Sequence, residues 1–188
     1  MKKVFLGIGV TLFFIICISM CVDGSSETES SSIQENSQGK TEKVKVKSNW
    51  EYSEFMDQME DDTTYIASIE SENSVDFEFP YNGGSYMTLS IRKSPQYGND
   101  VYIKIDKGQF NSDYMLGSNV KLKFDDEKAF SVSAKYPSDG STDMLFIGNY
   151  NKLLPKIKAA KTLKIQAEFF MEGNNTFIFD IENFVWEH

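Results

Sequence analysis

The sequence predicts an all-β domain, mainly an antiparallel β-sandwich or barrel-like sheet, with one short α-helix near residues 150–161. Three observations support this prediction. Apolar and polar residues alternate with a period of two in most segments after residue 50, which is typical of strands that bury one face and expose the other. Clusters of Gly, Asn, Asp and Pro separate these segments, as turns do. A single segment shows helical spacing instead.

Seven segments carry the alternation clearly, and each is predicted to be a strand with its apolar face in the core. In VDFEF (75–79), for example, Val75, Phe77 and Phe79 share one face. The other six are YMTLSIRK (86–93), VYIKID (101–106), VKLKFD (120–125), FSVSAK (130–135), LKIQAEF (163–169) and FIFDIE (177–182). Two weaker segments, WEYSEFM and TYIASIE, are predicted to add strands at the start of the domain.

Aromatic residues make up 14% of the chain, and those on the inward phase are predicted to build the core. They are Trp50, Tyr52, Phe77, Phe79, Phe124, Phe169, Phe177, Phe179 and Trp186. Four tyrosines fall in or beside predicted turns, where they either stand singly on the surface or form a binding patch. They are Tyr81, Tyr86, Tyr97 and Tyr114. The only arginine, Arg92, is predicted to pair with an acid on a neighbouring strand, or else to receive a ligand carboxylate.

The helical segment is NYNKLLPKIKAAK (149–161), with an apolar face opposite a row of lysines. The apolar face comprises Leu153, Leu154, Ile157 and Ala160. Asn151 is predicted to be the N-cap, which places Pro155 near the first turn, where its missing N–H costs little. The lysine face is either a solvated surface or a docking face for an acidic partner.

The N-terminal sequence is typical of an export signal. A basic MKK precedes an apolar run, and ISMC resembles a lipobox that ends at Cys21. We therefore predict a signal peptide at residues 1–21 with lipidation at Cys21, a flexible Ser/Glu-rich tether at 22–48 and the β-sandwich domain at 49–188. The same apolar run is nearly long enough to span a bilayer, so a single-span anchor and free secretion are the alternatives.

The net charge and the counts of cysteine and histidine exclude several classes of function. The net charge of −9 argues against nucleic-acid binding, because an acidic surface repels phosphate backbones. The two cysteines, Cys17 and Cys21, lie in the start segment, so a disulfide, a cysteine–zinc site and thiol catalysis are not expected in the domain. The single histidine, His188, is expected to be disordered rather than catalytic, and the sequence has no phosphate-binding GxxxxGK motif.

Two acidic clusters, DQMEDD (57–62) and FDDE (124–127), are interpreted as solvated turns, with weak Ca²⁺ binding as the alternative. Neither has the spacing of an EF-hand loop. No metal site, catalytic residue or cofactor is therefore predicted.

A set of landmarks along residues 50–186 resembles a family of small exported bacterial envelope proteins and lipoproteins. The landmarks are W-x-Y, D-x-M, P-Y-x-G-G, G-Q-F, a strand ending in F-D, an apolar and lysine-rich helix, and a final apolar–W. They are also loosely similar to a type VI secretion accessory envelope protein. The chain differs from the family pattern at two places. It lacks the cysteine pair after G-Q-F, and Lys123 stands before Phe124 where family members often have an arginine. The resemblance implies a β-sandwich located in the envelope.

These observations predict a lipid-anchored protein of the bacterial envelope whose domain is a non-enzymatic binding module. Its predicted partners are the membrane, through the N-terminal lipid, and another envelope protein. Two alternatives stay open at this point. One is a small envelope hydrolase that uses paired carboxylates, and the other is a small-ligand carrier with an unfilled barrel.

Overall fold

A computed structural model describes residues 48–111 and 118–188, and strand makes up 50% of it. The strands are β1 (Glu51–Asp57), β2 (Asp62–Glu70), β3 (Met87–Ser94), β4 (Gly98–Ile105), β5 (Ser118–Phe124), β6 (Phe130–Lys135), β7 (Met144–Ile147), β8 (Thr162–Phe169) and β9 (Gly173–Asp180), with one helix, α1 (Tyr150–Ala159), between β7 and β8. The predicted all-β class with one short helix is confirmed. The predictions for the signal peptide, for Cys21, for the tether up to residue 47 and for Tyr114 lie outside the described residues.

The nine strands of residues 48–111 and 118–188 belong to one sheet with the order β1-β2-β3-β4-β7-β6-β5-β8-β9. Every neighbouring pair is antiparallel. The first four strands are neighbours in chain order, after which β4 pairs with β7 and β5 lies between β6 and β8. The sheet is open rather than a closed barrel. Consequently β1 and β9 are edge strands.

The two ends of the sheet approach each other at one corner. The indole Nε1 of Trp50, just before β1, donates a hydrogen bond to the carbonyl oxygen of Ile181, just after β9, at 3.3 Å. The same indole packs against Phe184 with ring centroids 4.3 Å apart. This contact closes the interior at the corner and explains why the W-x-Y tryptophan is buried.

The predicted apolar phases of most strands fill the interior. Leu163, Ile165, Phe169, Phe177 and Phe179 are each at most 1% exposed, and Lys164 and Glu168, on the other phase of β8, are exposed to solvent. Full burial of one such side chain contributes roughly 1.5–3 kcal/mol relative to an exposed position. The alternation that predicts these strands therefore also supplies the core.

The predicted strand at residues 75–79 is wrong. Within this segment Val75 alone is paired, in an isolated bridge with Ser85, and Phe79 is 87% exposed. Alternation gives the direction of each side chain but not a neighbouring strand to pair with, and Pro80 offers no N–H to a ladder. Phe77 is nevertheless buried, because it packs against Phe169 at 4.9 Å between ring centroids.

The prediction that Tyr52 belongs to the core is also wrong, since its side chain is 49% exposed. Its strand, β1, lies at the end of the sheet, beyond the layer of side chains that covers the other strands. The other inward aromatics, except Phe79, are buried as predicted.

Helix α1 lies inside the predicted range but begins differently. Its N-cap is Asn149, in the left-handed conformation with φ 67° and no side-chain capping bond, rather than Asn151. Pro155 is the sixth helical residue and therefore lies beyond the first turn. Leu153 and Ile157 are buried as predicted. Because a proline lacks the N–H that would bond four residues back, the carbonyl of Asn151 has no helical partner at that position.

Candidate binding surface

The β1 end of the sheet is exposed to an unusual degree. All seven residues of β1 are exposed, on both faces of the strand. The strand pairs only with β2, and in the described part of the chain its backbone makes no hydrogen bond to any other element. An unpaired edge presents backbone N–H and C=O groups to which a further strand can bond.

The opposite edge of the sheet is covered by the chain itself. Around Ile178 of β9, the side-chain amide of Asn73 makes the hydrogen bonds that a neighbouring strand would make. Asn73 Nδ2 donates to the carbonyl of Thr176 at 3.1 Å, and the Ile178 N–H donates to Asn73 Oδ1 at 2.7 Å. The Glu72 N–H also donates to the Ile178 carbonyl at 2.7 Å. The edge left open is therefore that of β1.

The β1–β2 hairpin carries large apolar side chains that no other part of the described chain covers. Phe55 is 61% exposed and Met56 is 67% exposed, on opposite faces of the strand, and Met59 in the turn is also exposed. Each face of the hairpin therefore presents an exposed apolar side chain, whose burial against a partner would remove apolar surface from water.

An aromatic cluster lies beside β1. The ring of His188 stacks on Tyr65 of β2 at 3.8 Å between centroids and meets Trp186 edge-on at 5.1 Å. Tyr52 joins the cluster, because its hydroxyl accepts a hydrogen bond from the Val185 N–H at 3.0 Å. These side chains line an open concavity of about 380 Å³. His188 is therefore part of this cluster rather than a side chain without contacts.

The two faces of β1 differ in chemistry because alternate residues point to opposite sides. Tyr52 pairs across the strands with Ala67, which is fully buried, so this phase of β1 continues the core side of the sheet. Glu54 lies on the same phase and also lines the concavity. Glu51 and Asp57 are on the outer phase together with Phe55.

The surface is strongly acidic. Residues 48–91 contain no lysine or arginine, and their acidic residues are Glu51, Glu54, Asp57, Glu60, Asp61, Asp62, Glu70, Glu72, Asp76 and Glu78. The ion pairs found among the described residues involve Arg92, Lys104, Lys156 and Lys161, and none includes an acid of the β1–β2 hairpin. No acid of this hairpin therefore forms a direct ion pair with a cation of the described chain.

The predicted cross-strand pair of Arg92 is confirmed. Arg92 stands opposite Asp100 in the β3–β4 register, and its Nη2 donates to Asp100 Oδ2 at 2.5 Å. The guanidinium also lies 5.1–5.8 Å from the ring centroids of Tyr97, Tyr102 and Phe146. Because its carboxylate partner comes from the next strand, Arg92 acts as a structural residue of the outer face.

The described members of the four turn tyrosines do not form the patch that was the alternative to single exposed side chains. Tyr81 Oη accepts a hydrogen bond from Gln109 Nε2 at 3.0 Å, whereas Tyr97 lies beside Arg92 in the β3–β4 turn. The tyrosines that do gather are Tyr52 and Tyr65. The sequence carries one signal for this site, since acids occur on both phases of β1 and a strand with charge on both faces buries neither.

The acidic clusters have structural roles at the positions where contacts are seen. Asp125 Oδ1 accepts the N–H groups of Lys161 and Thr162 at 3.0 and 2.8 Å, joining the β5–β6 turn to the start of β8. Asp57 Oδ1 accepts the Met59 N–H at 2.8 Å and shapes the β1–β2 turn. Within residues 48–111 and 118–188, no group of three or more His, Cys, Asp or Glu side chains is placed to hold a metal ion.

Comparison with known proteins adds no relative. No protein-family model, no curated protein and no solved structure matches this chain. The resemblance to small envelope proteins therefore stays a prediction. In the part of the chain that the structure describes, no helix has the length and apolar character needed to cross a membrane.

Proposed function

We propose that this chain is a lipid-anchored protein of the bacterial envelope whose β domain is a non-enzymatic module that binds another envelope protein. The observation that carries the proposal is the β1–β2 hairpin, in which a strand carrying Phe55 and Met56 is exposed on both faces and open along its edge. Burial of these side chains against a partner removes apolar surface from water and stabilises a complex.

Two features favour binding over the alternatives. A carrier needs an unfilled barrel, whereas this sheet is open and large side chains such as Phe110 and Phe124 are at most 2% exposed in its interior. A glycan hydrolase needs carboxylates in a groove with aromatic platforms. The depression of about 290 Å³ beside Asp57, Glu60 and Asp62 is lined otherwise by Thr64, Ser94, Pro95 and Gln96, with no aromatic ring. The aromatic concavity beside β1 is lined by one carboxylate side chain, that of Glu54, rather than by a pair.

Replacement of Cys21 by alanine is expected to release the protein from the membrane fraction and to abolish the mass increment of the lipid. The reason is that a diacylglyceryl thioether at Cys21 supplies the apolar anchor. Intact mass spectrometry and membrane fractionation of the full-length protein measure both effects.

Cys17→Ala is the matched control, and it should remain lipidated and membrane-bound because residue 17 is predicted to be an ordinary residue of the apolar run. A natural protein that keeps residues 1–21 and carries no lipid mass increment would contradict the lipid anchor and favour the single-span alternative.

The double substitution Phe55→Ser/Met56→Ser is expected to remove the native partner from the protein. In vivo cross-linking followed by purification of the full chain should yield a stoichiometric companion with the natural sequence and less than about a tenth of it with this variant. The reason is that removal of an anchoring side chain at the centre of an interface typically lowers the binding free energy by more than about 1 kcal/mol.

The chain provides a matched control in Phe170→Ser/Met171→Ser, since these neighbours in the β8–β9 turn are also exposed, by 58% and 88%. This variant should keep the companion. A companion that survives the first substitution, or disappears with both, would argue against the β1–β2 hairpin as the binding surface.

A further inference from the structure

We infer that the partner binds by adding an extended strand to the outer edge of β1, and that this strand alternates lysine or arginine with apolar residues. The inference rests on the proposed function and deepens it by naming the mode of binding and the chemistry of the partner segment. Addition of a peptide strand to an exposed sheet edge is a general recognition mode, in which main-chain hydrogen bonds supply affinity and alternate side chains supply specificity.

The mode follows from the backbone. β1 has seven residues in regular antiparallel register with β2, from Glu51 opposite Ser68 to Asp57 opposite Asp62. Its other side has no partner in the described chain, whereas the β9 edge is bonded by Glu72 and Asn73. A further strand has about seven residues of regular edge to pair with.

The alternation follows from the two faces of β1. On the outer face, two residues of an added strand would lie opposite Glu51 and Asp57. Basic side chains at these two positions would stabilise the strand pairing, because cross-strand neighbours of opposite charge attract each other. On the core face, Tyr52 borders the concavity of about 380 Å³ that Trp186 and His188 also line, and Met56 is exposed further along the same face. An added strand with basic residues outward and apolar residues inward would place its cations beside Glu51 and Asp57 and its apolar side chains over the aromatic rings of this concavity, next to Glu54.

Charge also argues against pairing of β1 with β1 of a second copy. Two copies joined through β1 would bring Glu51, Glu54 and Asp57 of one against the same acids of the other, and like charges directly opposite destabilise a strand pair. A basic strand would instead be attracted to these acids, because the hairpin contributes no cation of its own to pair with them.

The test uses the full-length protein in mild detergent with synthetic seven-residue peptides. The probe is a peptide of alternating lysine and valine, and binding is measured by fluorescence anisotropy at low salt. Hydrogen–deuterium exchange of β1 is measured in parallel. One control peptide is N-methylated at two neighbouring central residues, which removes an N–H from each edge of the strand. A second control has the same composition in a scrambled order.

The alternating peptide is expected to bind at least about tenfold more tightly than either control and to slow amide exchange in residues 51–57. Glu51→Lys should weaken its binding about fivefold at low salt, which corresponds to about 1 kcal/mol. The same variant should bind an alternating glutamate–valine peptide better than the natural protein does. Asp126→Lys, an identical change of charge in the β5–β6 turn, should leave both affinities unchanged.

Three results would overturn the inference. Equal binding of the N-methylated peptide would show attraction of charge without strand pairing, and unchanged exchange in β1 would place the peptide elsewhere. Concentration-dependent dimerisation of the full chain in sedimentation, with β1 amides protected, would assign the edge to a second copy, whose residues 43–47 read Lys-Val-Lys-Val-Lys. In each case a companion lost with Phe55→Ser/Met56→Ser would still support the proposed function, so the two failures are distinguishable.

Discussion

Replacement of Phe169 by alanine is expected to lower the free energy of unfolding by about 3–5 kcal/mol, since deletion of a buried phenylalanine leaves a cavity as well as losing apolar burial. Phe169 is 1% exposed, and its ring contacts those of Phe77, Phe110 and Phe177 at centroid distances of 4.9, 4.8 and 5.8 Å. Its strand also forms an isolated bridge with Phe110. One ring therefore joins the loop after β4, the irregular segment at residue 77 and the β8–β9 hairpin.

Urea unfolding of the full chain, followed by the fluorescence of Trp50 and Trp186, measures this loss. Phe170→Ala is the matched control, because the next side chain is 58% exposed and its removal should change stability by less than about 0.5 kcal/mol. If Phe169→Ala does not fold, Phe169→Leu should still show a partial loss of about 1–2 kcal/mol. Equal midpoints for the two alanine variants would contradict the central position of this ring.

Replacement of Gly108 by alanine is expected to cost about 2–5 kcal/mol, and this cost explains the glycine of the G-Q-F landmark. Gly108 has φ 119°, and a Cβ built on it would lie 2.7 Å from Cε2 and 3.0 Å from Cδ2 of Phe77. The penalty combines backbone strain, of about 1–3 kcal/mol, with a steric clash of similar size against a buried ring.

Two further variants separate the contributions to the Gly108 effect. Gly140→Ala places a Cβ on a residue with φ 81° but with nothing within 4 Å, so it should show the backbone strain alone. Combining Gly108→Ala with Phe77→Leu should cost less than the sum of the single substitutions, because the smaller side chain relieves the clash. Simple additivity in thermal or urea unfolding would argue against the contact between residues 108 and 77.

Much of the sheet was predictable from local sequence. The alternation in 163–169 and 177–182 identifies β8 and β9 and their inward residues, because the pleat alone puts successive side chains on opposite faces. The pairing of Arg92 with Asp100 was predictable in kind, since a lone arginine on the polar phase of a strand has acids on the neighbouring strands within reach. The buried face of α1 followed from helical periodicity in the same way.

The failed predictions share a physical cause. Tyr52 and Phe79 lie on the same alternating phases as buried residues, yet they are 49% and 87% exposed. Whether an inward phase is covered depends on a second layer of side chains, and whether an extended segment becomes a strand depends on a neighbour with free hydrogen-bonding groups. Neither condition is a property of the segment itself.

The candidate binding surface also combines features that local sequence shows with features that only the tertiary structure decides. Its acidity was visible in the sequence, as an absence of lysine and arginine from residues 48–91, and acids on both phases of β1 indicate a strand that buries neither face. Its open edge was not visible, because it arises from the strand order and from Asn73 covering the opposite edge across the fold. The stacking of His188 on Tyr65 depends on a contact between residues far apart in the chain.

For this protein, the order of amino acids was sufficient to establish an antiparallel all-β domain, its one short helix and most of its core, because period and turn chemistry act over a few neighbouring residues. The exposure of β1, the requirement for glycine at Gly108 and the aromatic cluster beside Tyr52 were set by the assembled fold. Each depends on which groups meet across the sheet, and burial and steric contact are sums over neighbours that local sequence does not contain.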